Sequence, residues 1–431
     1  MRDMRESGVE WIDEIPSSWK IVPLKSLFSF GKGLPITKEN LEESGVPVIS
    51  YGQIHAKWNS GVTTHKELLR FVNESYLETN PQSLVRRGDL IMADTSEDRE
   101  GCGNCAYIDT EDKLFAGYHT IILHSLSETD NKYLAYLFLT DPWRSQIRKA
   151  VSGVKLFSVS RRILGSVSVL VPENPDQIVA FLDKKCAQVD TLIANVQAQI
   201  EKLKAYKQSL ITEVVTKGLD PTVPMKDSGV EWIGEIPAHW EIKRGKALFK
   251  ETEARSTDGS EELLTVSQYT GITPRSQKNV TMFEALSLEG YKICEIGDIA
   301  ANTMWLWAGA IGVSEYRGVI SPSYNVYRQR GNYFVSKYLD HLLRAPMLVQ
   351  EYASLSTGIR ASRLRLYPKD FFNIMFLVPP IEEQQAILDA LSTQFSTADR
   401  LIAIKQAKIE KLEQYKRSLI YEYVTGKREV V

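Results

Sequence analysis

Cysteine and histidine are scarce in this chain, which has four cysteines and six histidines among 431 residues. The cysteines are Cys102, Cys105, Cys186 and Cys294. In a chain of this length, so few thiols indicate a reducing compartment rather than a disulfide framework. The histidines are scattered and form no constellation typical of a metal site or an activated nucleophile. These scarcities predict a cytoplasmic protein without a metal centre.

Long apolar runs and nucleotide-binding signatures are also absent. No stretch approaches the roughly 18 apolar residues of a membrane-spanning helix, so we expect no membrane partner. There is no G-x-x-x-x-G-K-[ST] loop and no G-x-G-x-x-G after a strand. The Asn-Pro-Pro-aromatic motif of adenine methyltransferases is missing as well, because Asn174-Pro175-Asp176 does not match it. The sequence therefore predicts that this chain is not an enzyme and binds no cofactor itself.

The overall composition is that of a globular protein with more than one domain. Hydrophobic residues make up 43% of the chain, which is enough material for two sizeable cores. The formal net charge of −2 gives no sign of a polyanionic partner. Nucleic-acid binding depends on clustered charge more than on total charge, so a near-neutral total does not exclude it.

Two segments of the sequence occur twice. The motif SGVEWI at residues 7–12 returns at 228–233, and the pattern IEKLxxYKxSLI at 200–211 returns at 409–420. This period is too long for a solenoid, so it indicates a two-copy duplication with pseudo-twofold symmetry. The predicted order is variable segment, constant helix, variable segment, constant helix.

The constant segments have the pattern of long amphipathic helices. Residues 177–217 contain no Gly or Pro and carry a heptad repeat, with Asp176 as the expected N-cap and Gly218 after the end. The second copy follows Pro379-Pro380 and ends at Gly426. Residues expected in the helix pair or a subunit interface are Leu182, Val189, Leu192, Val196, Leu203, Tyr206, Leu210, Leu391, Leu401, Ile409, Leu412, Tyr415 and Leu419.

Each apolar stripe needs a partner, because propensity alone poorly stabilises an isolated helix. The other copy is the nearest candidate, and antiparallel pairing satisfies the pseudo-twofold symmetry. A helix of 40 residues spans about 60 Å, comparable to more than one turn of DNA. The alternative is that the helices pack only on the globular domains or dimerise.

The variable segments, residues 20–171 and 241–378, read as mixed α/β. Short apolar runs at 46–49, 90–92 and 120–123 predict strands, and 133–138 and 335–343 predict helices. Two stretches just before the constant helices contain bases and no acids: the first basic run, residues 143–172, and the second, residues 352–369. A further acid-free basic stretch includes Arg317, Arg328 and Arg330.

Matched basic runs in both halves favour contacts to phosphate or to guanine edges over solvated surface charge, which is the common case for any single basic residue. The candidate DNA-binding residues are Arg144, Arg148, Lys149, Lys155, Arg161, Arg162, Arg328, Arg330, Arg360, Arg363, Arg365 and Lys369.

Three other features have a functional and a structural interpretation. Cys102-Gly103-Asn104-Cys105 has C-x-x-C spacing, but no second pair or His cluster completes a zinc site, so a turn with incidental thiols is expected. The acids between Asp94 and Glu100 favour a solvated loop over a metal site. Trp305 and Trp307 either wedge against bases or lie in the core, which is the commoner case for aromatic residues.

With this duplicated plan, the chain resembles type I restriction-modification specificity subunits (HsdS) over nearly its whole length. The carriers are the Gly-Glu-Ile-Pro-x-x-Trp opening at 234–240, the Val-Pro-Pro-x-x-Glu-Gln junction at 378–384 and the ending Val424-Thr425-Gly426. The first copy departs from this pattern at Asp13 and keeps only part of the junction at 171–177.

The resemblance implies two mixed α/β target recognition domains, at 1–171 and 220–378, separated by antiparallel spacer helices at 172–219 and 379–431. Each domain would read one half of a bipartite, asymmetric site in double-stranded DNA, and the helices would set the gap. Two modification subunits would supply adenine methylation with S-adenosylmethionine. Restriction subunits would add translocation and cleavage driven by ATP and Mg²⁺. The rival hypotheses are a self-contained restriction or modification enzyme and a coiled-coil adaptor that does not bind DNA.

Overall fold

The structure, a computed structural model, describes residues 3–127, 131–278, 287–358 and 364–430. The chain forms two compact units. Unit 1 comprises Met1–Val196 and Ala407–Val431, and unit 2 comprises Gln197–Gln406. Each long helix is therefore shared, with one part in each unit. The segment boundaries predicted above follow the repeat and stay a prediction.

Along the chain, a series of short helices and strands is followed by one long helix, and this order occurs twice. The helices are α1 Tyr51–Ile54, α2 Tyr76–Thr79, α3 Lys132–Phe138, α4 Asp141–Ala150, α5 Arg161–Ser166, α6 Pro175–Lys217, α7 Gly245–Leu248, α8 Ser336–Leu343, α9 Pro346–Leu355, α10 Pro368–Phe371 and α11 Ile381–Val424. Short 3-10 turns lie at Leu24–Ser26, Lys38–Asn40, Lys66–Leu68, Pro81–Ser83, Arg275–Gln277 and Leu306–Ala308. Among the described residues, none of these helices combines the length and apolar character needed to cross a membrane.

The strands are short in both units. Those of unit 1 are β1 Met4–Val9, β2 Ile12–Pro16, β3 Lys20–Pro23, β4 Phe28–Lys32, β5 Val46–Ile49, β6 Arg70–Val72, β7 Leu84–Val85, β8 Leu90–Ala93, β9 Thr95–Ser96, β10 Cys105–Tyr107, β11 Leu114–Ala116, β12 Thr120–Ser125, β13 Phe157–Ser158 and β14 Ser168–Val171. Those of unit 2 are β15 Met225–Asp227, β16 Glu235–Pro237, β17 Glu241–Arg244, β18 Phe249–Thr252, β19 Leu264–Ser267, β20 Gly271–Pro274, β21 Lys292–Cys294, β22 Ile299–Ala301, β23 Ile311–Val313, β24 Gly318–Ile320, β25 Asn325–Gln329 and β26 Met375–Val378.

Both units are built on the same four-stranded antiparallel sheet. Its strand order is β10-β8-β12-β4 in unit 1 and β23-β22-β25-β18 in unit 2. The registers also match, since Leu90 faces Leu123 and Tyr107 in unit 1 while Ile299 faces Tyr327 and Val313 in unit 2. The mixed α/β class and the strands and helices predicted in the variable segments are confirmed.

The long helices begin and end close to the predicted residues. Because α6 begins at Pro175, Asp176 lies inside the first turn, and its prediction as N-cap is wrong. Proline suits this position because its missing N–H has no helical partner there. Gly218 and Gly426 follow the two helix ends with φ of 73° and 71°, a left-handed conformation that other residues adopt only at a cost.

Burial along the helices alternates in steps of four and three residues, the spacing of positions a and d in a coiled coil. In α6 the shielded positions are Leu182, Cys186, Val189, Ile193 and Val196 in unit 1 and Ile200, Leu203, Lys207, Leu210 and Val214 in unit 2. In α11 they are Leu388, Leu391, Phe395, Ala398, Ile402 and Lys405 in unit 2 and Ile409, Leu412, Lys416, Leu419 and Tyr423 in unit 1.

Four predicted interface residues lie outside this stripe. Leu192, Tyr206, Leu401 and Tyr415 are about half exposed. Within α6 the step from Val189 or Leu203 is four residues, which places Ile193 and Lys207 inward and turns Leu192 and Tyr206 outward. Leu192, Leu401 and Tyr415 therefore lie outside the helix-pair core, whereas the Tyr206 hydroxyl still donates to the Gln394 side chain of α11 at 2.7 Å. The role of all four residues in a subunit interface stays a prediction.

Ion pairs between the long helices repeat in the two units. In unit 1 the Lys416 ammonium lies 2.7 Å from a carboxylate oxygen of Asp190, and in unit 2 Lys207 lies 2.7 Å from Asp399. Each lysine pairs with an aspartate of the opposite helix. The two lysines are 209 positions apart in the sequence, and so are the two aspartates. The pairs join the early part of one helix to the late part of the other, so the helices are antiparallel in each unit.

The two ion pairs should help to select the helix register. Lys207→Glu places two acids together and is expected to destabilise the chain by about 1 kcal/mol, and Lys207→Glu/Asp399→Lys should recover most of that loss. Urea unfolding of the single and double variants measures the coupling. Lys202→Glu is the control, since Lys202 is an exposed residue of the same helix. Equal loss in the single and double variants would contradict a register role.

The end of each long helix is closed by equivalent residues. In unit 1 the Tyr133 hydroxyl donates to the carbonyl of Val424 at 2.7 Å, and in unit 2 the Tyr338 hydroxyl donates to that of Val215 at 3.3 Å. Both tyrosines are buried, and burial raises their pKa values. The hydroxyls thus satisfy carbonyls that have no partner inside the helix. The triplet Lys-Tyr-Leu at 132–134 and 337–339 carries this signal in the sequence.

Candidate nucleic-acid interface

Three basic residues of the first basic run form hydrogen bonds or ion pairs with neighbouring groups in unit 1. The Arg144 guanidinium donates to the Phe138 carbonyl and to the Asn104 side chain, both at 2.6 Å, and burial lowers its pKa. Arg148 lies 3.1 Å from carboxylate oxygens of both Glu100 and Asp141. Lys149 pairs with Glu10. Arg148 and Lys149 are therefore engaged with carboxylates of unit 1, through ion pairs that water partly screens.

The other three basic residues of this run project from the loop that ends at Val159, called the basic loop, and from the helix α5 that follows it. Lys155, Arg161 and Arg162 are exposed, and Arg161 makes one long hydrogen bond to the Phe30 carbonyl at 3.4 Å. The loop beside them also exposes Val154, at 95%, and Leu156. Ser160 caps α5 by accepting from the Ile163 amide, which fixes where Arg161 and Arg162 leave the backbone. These three cations are the ones in the run that are best placed for phosphate.

The second basic run is only partly described, because Arg360 and Arg363 lie outside the described residues. Arg365 is exposed and pairs through its backbone with Thr357, and Lys369 is exposed on α10. The bases of the earlier stretch are engaged within unit 2: Arg328 contacts both carboxylate oxygens of Asp298, and Arg330 donates to the carbonyls of Lys246 and Phe249.

One edge of the unit 1 sheet places polar and aromatic side chains beside the basic loop. Asp94 directly follows β8 and His119 directly precedes β12, and the His119 Nδ1 lies 3.3 Å from an Asp94 carboxylate oxygen. Two tyrosines join the edge, since the ring centroids of Tyr51 and His119 are 5.4 Å apart and those of Tyr51 and Tyr118 are 5.6 Å apart. The basic loop returns here because β13 pairs with β9, and the Val159 amide donates to the Asp94 carbonyl at 2.8 Å.

The corresponding edge of unit 2 carries different side chains. The Asn302 amide donates to the Tyr324 hydroxyl at 2.8 Å, and the Thr303 hydroxyl donates to the Ser323 carbonyl at 2.8 Å. Trp305 follows and is 51% exposed, with its ring stacked on Trp307 at 5.7 Å. Of the two interpretations of this tryptophan pair, burial in the core is therefore wrong for Trp305.

The C-x-x-C segment and the acidic loop have structural explanations. Cys102 and Cys105 are buried and free, and burial raises the pKa of the Cys105 thiol to about 12, so it stays protonated. Asp98 accepts from the Gly101 amide and closes the turn between the acids and the cysteines. Among the described residues, no three His, Cys, Asp or Glu side chains are grouped as metal ligands.

Sequence reasoning missed the Asp94–His119 edge because the two residues belong to different strand ends, and their pairing depends on strand register. In the sequence, Asp94 is only one member of an acidic loop, and His119 is only one of six scattered histidines. The register that joins them is between Ala93 and Thr120.

Comparison with known proteins agrees with this two-unit plan. Residues 16–202 match the model of the family Methylase_S, described as "Type I restriction modification DNA specificity domain". The chain is 24% identical over 439 residues to the "Putative type I restriction enzyme MjaX specificity subunit" of Methanocaldococcus jannaschii, covering 96% of this chain and 95% of that protein. This chain is therefore similar over nearly its whole length to type I restriction enzyme specificity subunits.

Two further matches also cover nearly the whole chain. The type I restriction enzyme MjaVIII specificity subunit of the same organism is 23% identical, over 96% of this chain and 93% of the relative. A solved chain from a study titled "Structural basis underlying complex assembly and conformational transition of the type I R-M system" superposes with a TM-score of 0.64. It shares 16% identity and covers 96% of this chain and 99% of its own, so it shows the fold alone.

Proposed function

We propose that unit 1 and unit 2 each read one half of a bipartite, asymmetric sequence in double-stranded DNA, and that the shared long helices set the gap. One observation carries this proposal: the two units use the same sheet in the same register but present different side chains at the same edge. An identical framework with unlike edges suits the reading of two unlike half-sites.

The same proposal assigns the chemistry to other subunits. The chain acts without catalysis of its own and docks two modification subunits, which bind S-adenosylmethionine and methylate adenine. Restriction subunits supply translocation and cleavage with ATP and Mg²⁺. The half-exposed helix residues Leu192, Tyr206, Leu401 and Tyr415 support such docking, because apolar side chains left outside a helix-pair core gain stability under a partner.

Methylation mapping tests the proposal. The chain is co-expressed with its modification subunit, and adenine methylation is located by long-read sequencing. The expected result is a split motif with a fixed gap, of which one half alone changes when residues 20–171 are exchanged for another such domain. A stable complex that methylates no split motif would contradict the proposal and favour a protein-binding adaptor.

The exposed arginines of the first basic run should contribute affinity without sequence preference. Arg161→Ala/Arg162→Ala is expected to weaken DNA binding by the assembled complex by about tenfold and to reduce the slope of log affinity against log salt by about 0.9 for each phosphate that is no longer neutralised. Fluorescence anisotropy over a salt series measures both quantities. The control, Arg161→Lys/Arg162→Lys, keeps the charges and should retain most of the affinity. Unchanged affinity and slope in the alanine variant would remove both residues from the interface.

A further inference from the structure

The paired side chains of Asp94 and His119 lie at a point where the two units can be compared residue by residue. In unit 1 Ala93 faces Thr120. In unit 2 the last paired residues are Ala301 and Asn325, and one position further along the same register Asn302 meets Tyr324, the equivalent of Ala93 and Thr120. The next position of unit 1 is Asp94 beside His119. Its counterpart in unit 2 is Thr303 beside Ser323, where the threonine hydroxyl donates to a backbone carbonyl. The frameworks agree at this position, and the chemistry differs.

The backbone of His119 is held in an unfavourable conformation. Its φ is 55°, and among the described residues it alone has a positive φ without being glycine. This conformation costs of order 1 kcal/mol and persists where the surroundings impose it, often at functional sites. Here the His119 carbonyl accepts from the Asp94 amide at 3.1 Å, and the His119 ring lies edge-on to those of Tyr51 and Tyr118. The His119 side chain nevertheless remains 57% exposed.

Two neighbouring side chains hold the Asp94 carboxylate in place. The Thr95 hydroxyl donates to its Oδ1 at 2.7 Å, and the His119 Nδ1 lies 3.3 Å from the same oxygen. Both contacts use Oδ1. When the neutral imidazole donates from Nδ1, its Nε2 is an acceptor. In that tautomer the edge presents two acceptors, Asp94 Oδ2 and His119 Nε2, and the His119 side chain is 57% exposed.

An acid at this place is unfavourable for a surface that binds DNA only through phosphates. The basic loop that ends at Val159 hydrogen-bonds to Asp94 itself, and Lys155, Arg161 and Arg162 lie in or just after that loop. A DNA phosphate attracted to these lysine and arginine side chains would be repelled by the Asp94 carboxylate. The repulsion is offset when the carboxylate accepts from an exocyclic amino group, which cytosine and adenine present in the major groove.

We infer that Asp94 and His119 form a specificity-determining pair of unit 1, which accepts a hydrogen bond from the amino group of cytosine or adenine at one position of its half-site. The inference rests on the proposed function, since it requires that unit 1 reads DNA. It assigns base discrimination to these two residues and leaves phosphate contacts to Lys155, Arg161 and Arg162.

The test uses the assembled complex of this chain with its modification subunits and maps methylation on a library of randomised half-sites. Asp94→Asn replaces one acceptor with a donor and is expected to lower discrimination at one position of one half-site by roughly tenfold or more. The other half-site and the gap should stay unchanged. His119→Gly keeps the left-handed backbone at no conformational cost and should relax the same position while preserving the thermal unfolding temperature.

Matched controls are Asp112→Asn and His65→Gln, exposed residues of the same type in unit 1, which should leave the motif unchanged. If the Asp94 and His119 variants methylate the same split motif as the wild-type complex, the inference is overturned and the proposed function stands. A uniform loss of methylation at every sequence, with a changed salt slope, would also overturn it by assigning the pair to affinity. If the wild-type complex methylates no split motif, both proposals fail.

Discussion

Asp298→Ala is expected to lower the free energy of unfolding of unit 2 by about 2–4 kcal/mol, because it removes a buried carboxylate that three donors use. Asp298 accepts from the Arg328 Nε and Nη2 at 2.6 and 2.7 Å and from the Glu295 amide at 2.9 Å. Its side chain is 1% exposed, so water cannot replace these contacts without opening the turn before β22. Since Arg328 is partly exposed and regains water, the loss should fall below that of a fully buried pair.

The same replacement in unit 1 provides an independent check. Asp89 accepts from the Ser125 and Arg86 amides and contacts the His124 ring, so it has the position and function of Asp298. Asp89→Ala should therefore destabilise unit 1 to a similar extent. Hydrogen exchange of β8 and β12, and of β22 and β25, resolves the two units, which a single melting curve does not. Asp112→Ala is the exposed control, and equal protection in all variants would contradict the prediction.

Gln384→Ala is expected to destabilise unit 2 by about 2–3 kcal/mol, because the Gln384 amide, in the first turn of α11, satisfies three backbone groups. The side chain is buried, accepts from the Val335 amide at 2.9 Å and donates to the Tyr333 and Pro379 carbonyls, both at 2.9 Å. These bonds join the start of α11 to the segment before α8. Their loss leaves backbone donors and acceptors buried without partners.

Gln177 offers a matched control for this prediction. It holds the corresponding place in the first junction motif but is exposed, so Gln177→Ala should change stability by less than about 0.5 kcal/mol. Hydrogen exchange, which reports on each unit separately, compares the two variants, and Gln384→Glu tests whether shape without the amide donors is enough. Similar stability of the Gln384 and Gln177 variants would show that the buried amide contributes little.

Much of the fold could be predicted from the sequence because it depends on local patterns. Both long helices follow from the absence of Gly and Pro and from the heptad period, and their ends follow from Gly218 and Gly426. The predicted strands at 46–49, 90–92 and 120–123 formed because short β-branched and apolar runs favour a buried sheet. The inward face of the helices was predicted only in part, since a seven-residue period leaves open whether the second stripe lies three or four residues on.

The candidate interface was less predictable because it depends on which residues meet in space. A sequence shows that Arg144, Arg148, Lys149 and Arg328 are basic, but only the tertiary structure shows the carbonyls and carboxylates that already hold them. In the same way Asp94 and His119, 25 positions apart, become neighbours only through strand register.

The sequence by itself determined the two-copy plan, the helix lengths and the chemical types available in each half, because repeats, helix periodicity and capping residues are local properties of the chain. The tertiary structure decided which charges remain open to a ligand and which side chains share an edge. These depend on contacts between residues far apart in sequence, where a shift of one residue in strand register turns a side chain to the opposite face.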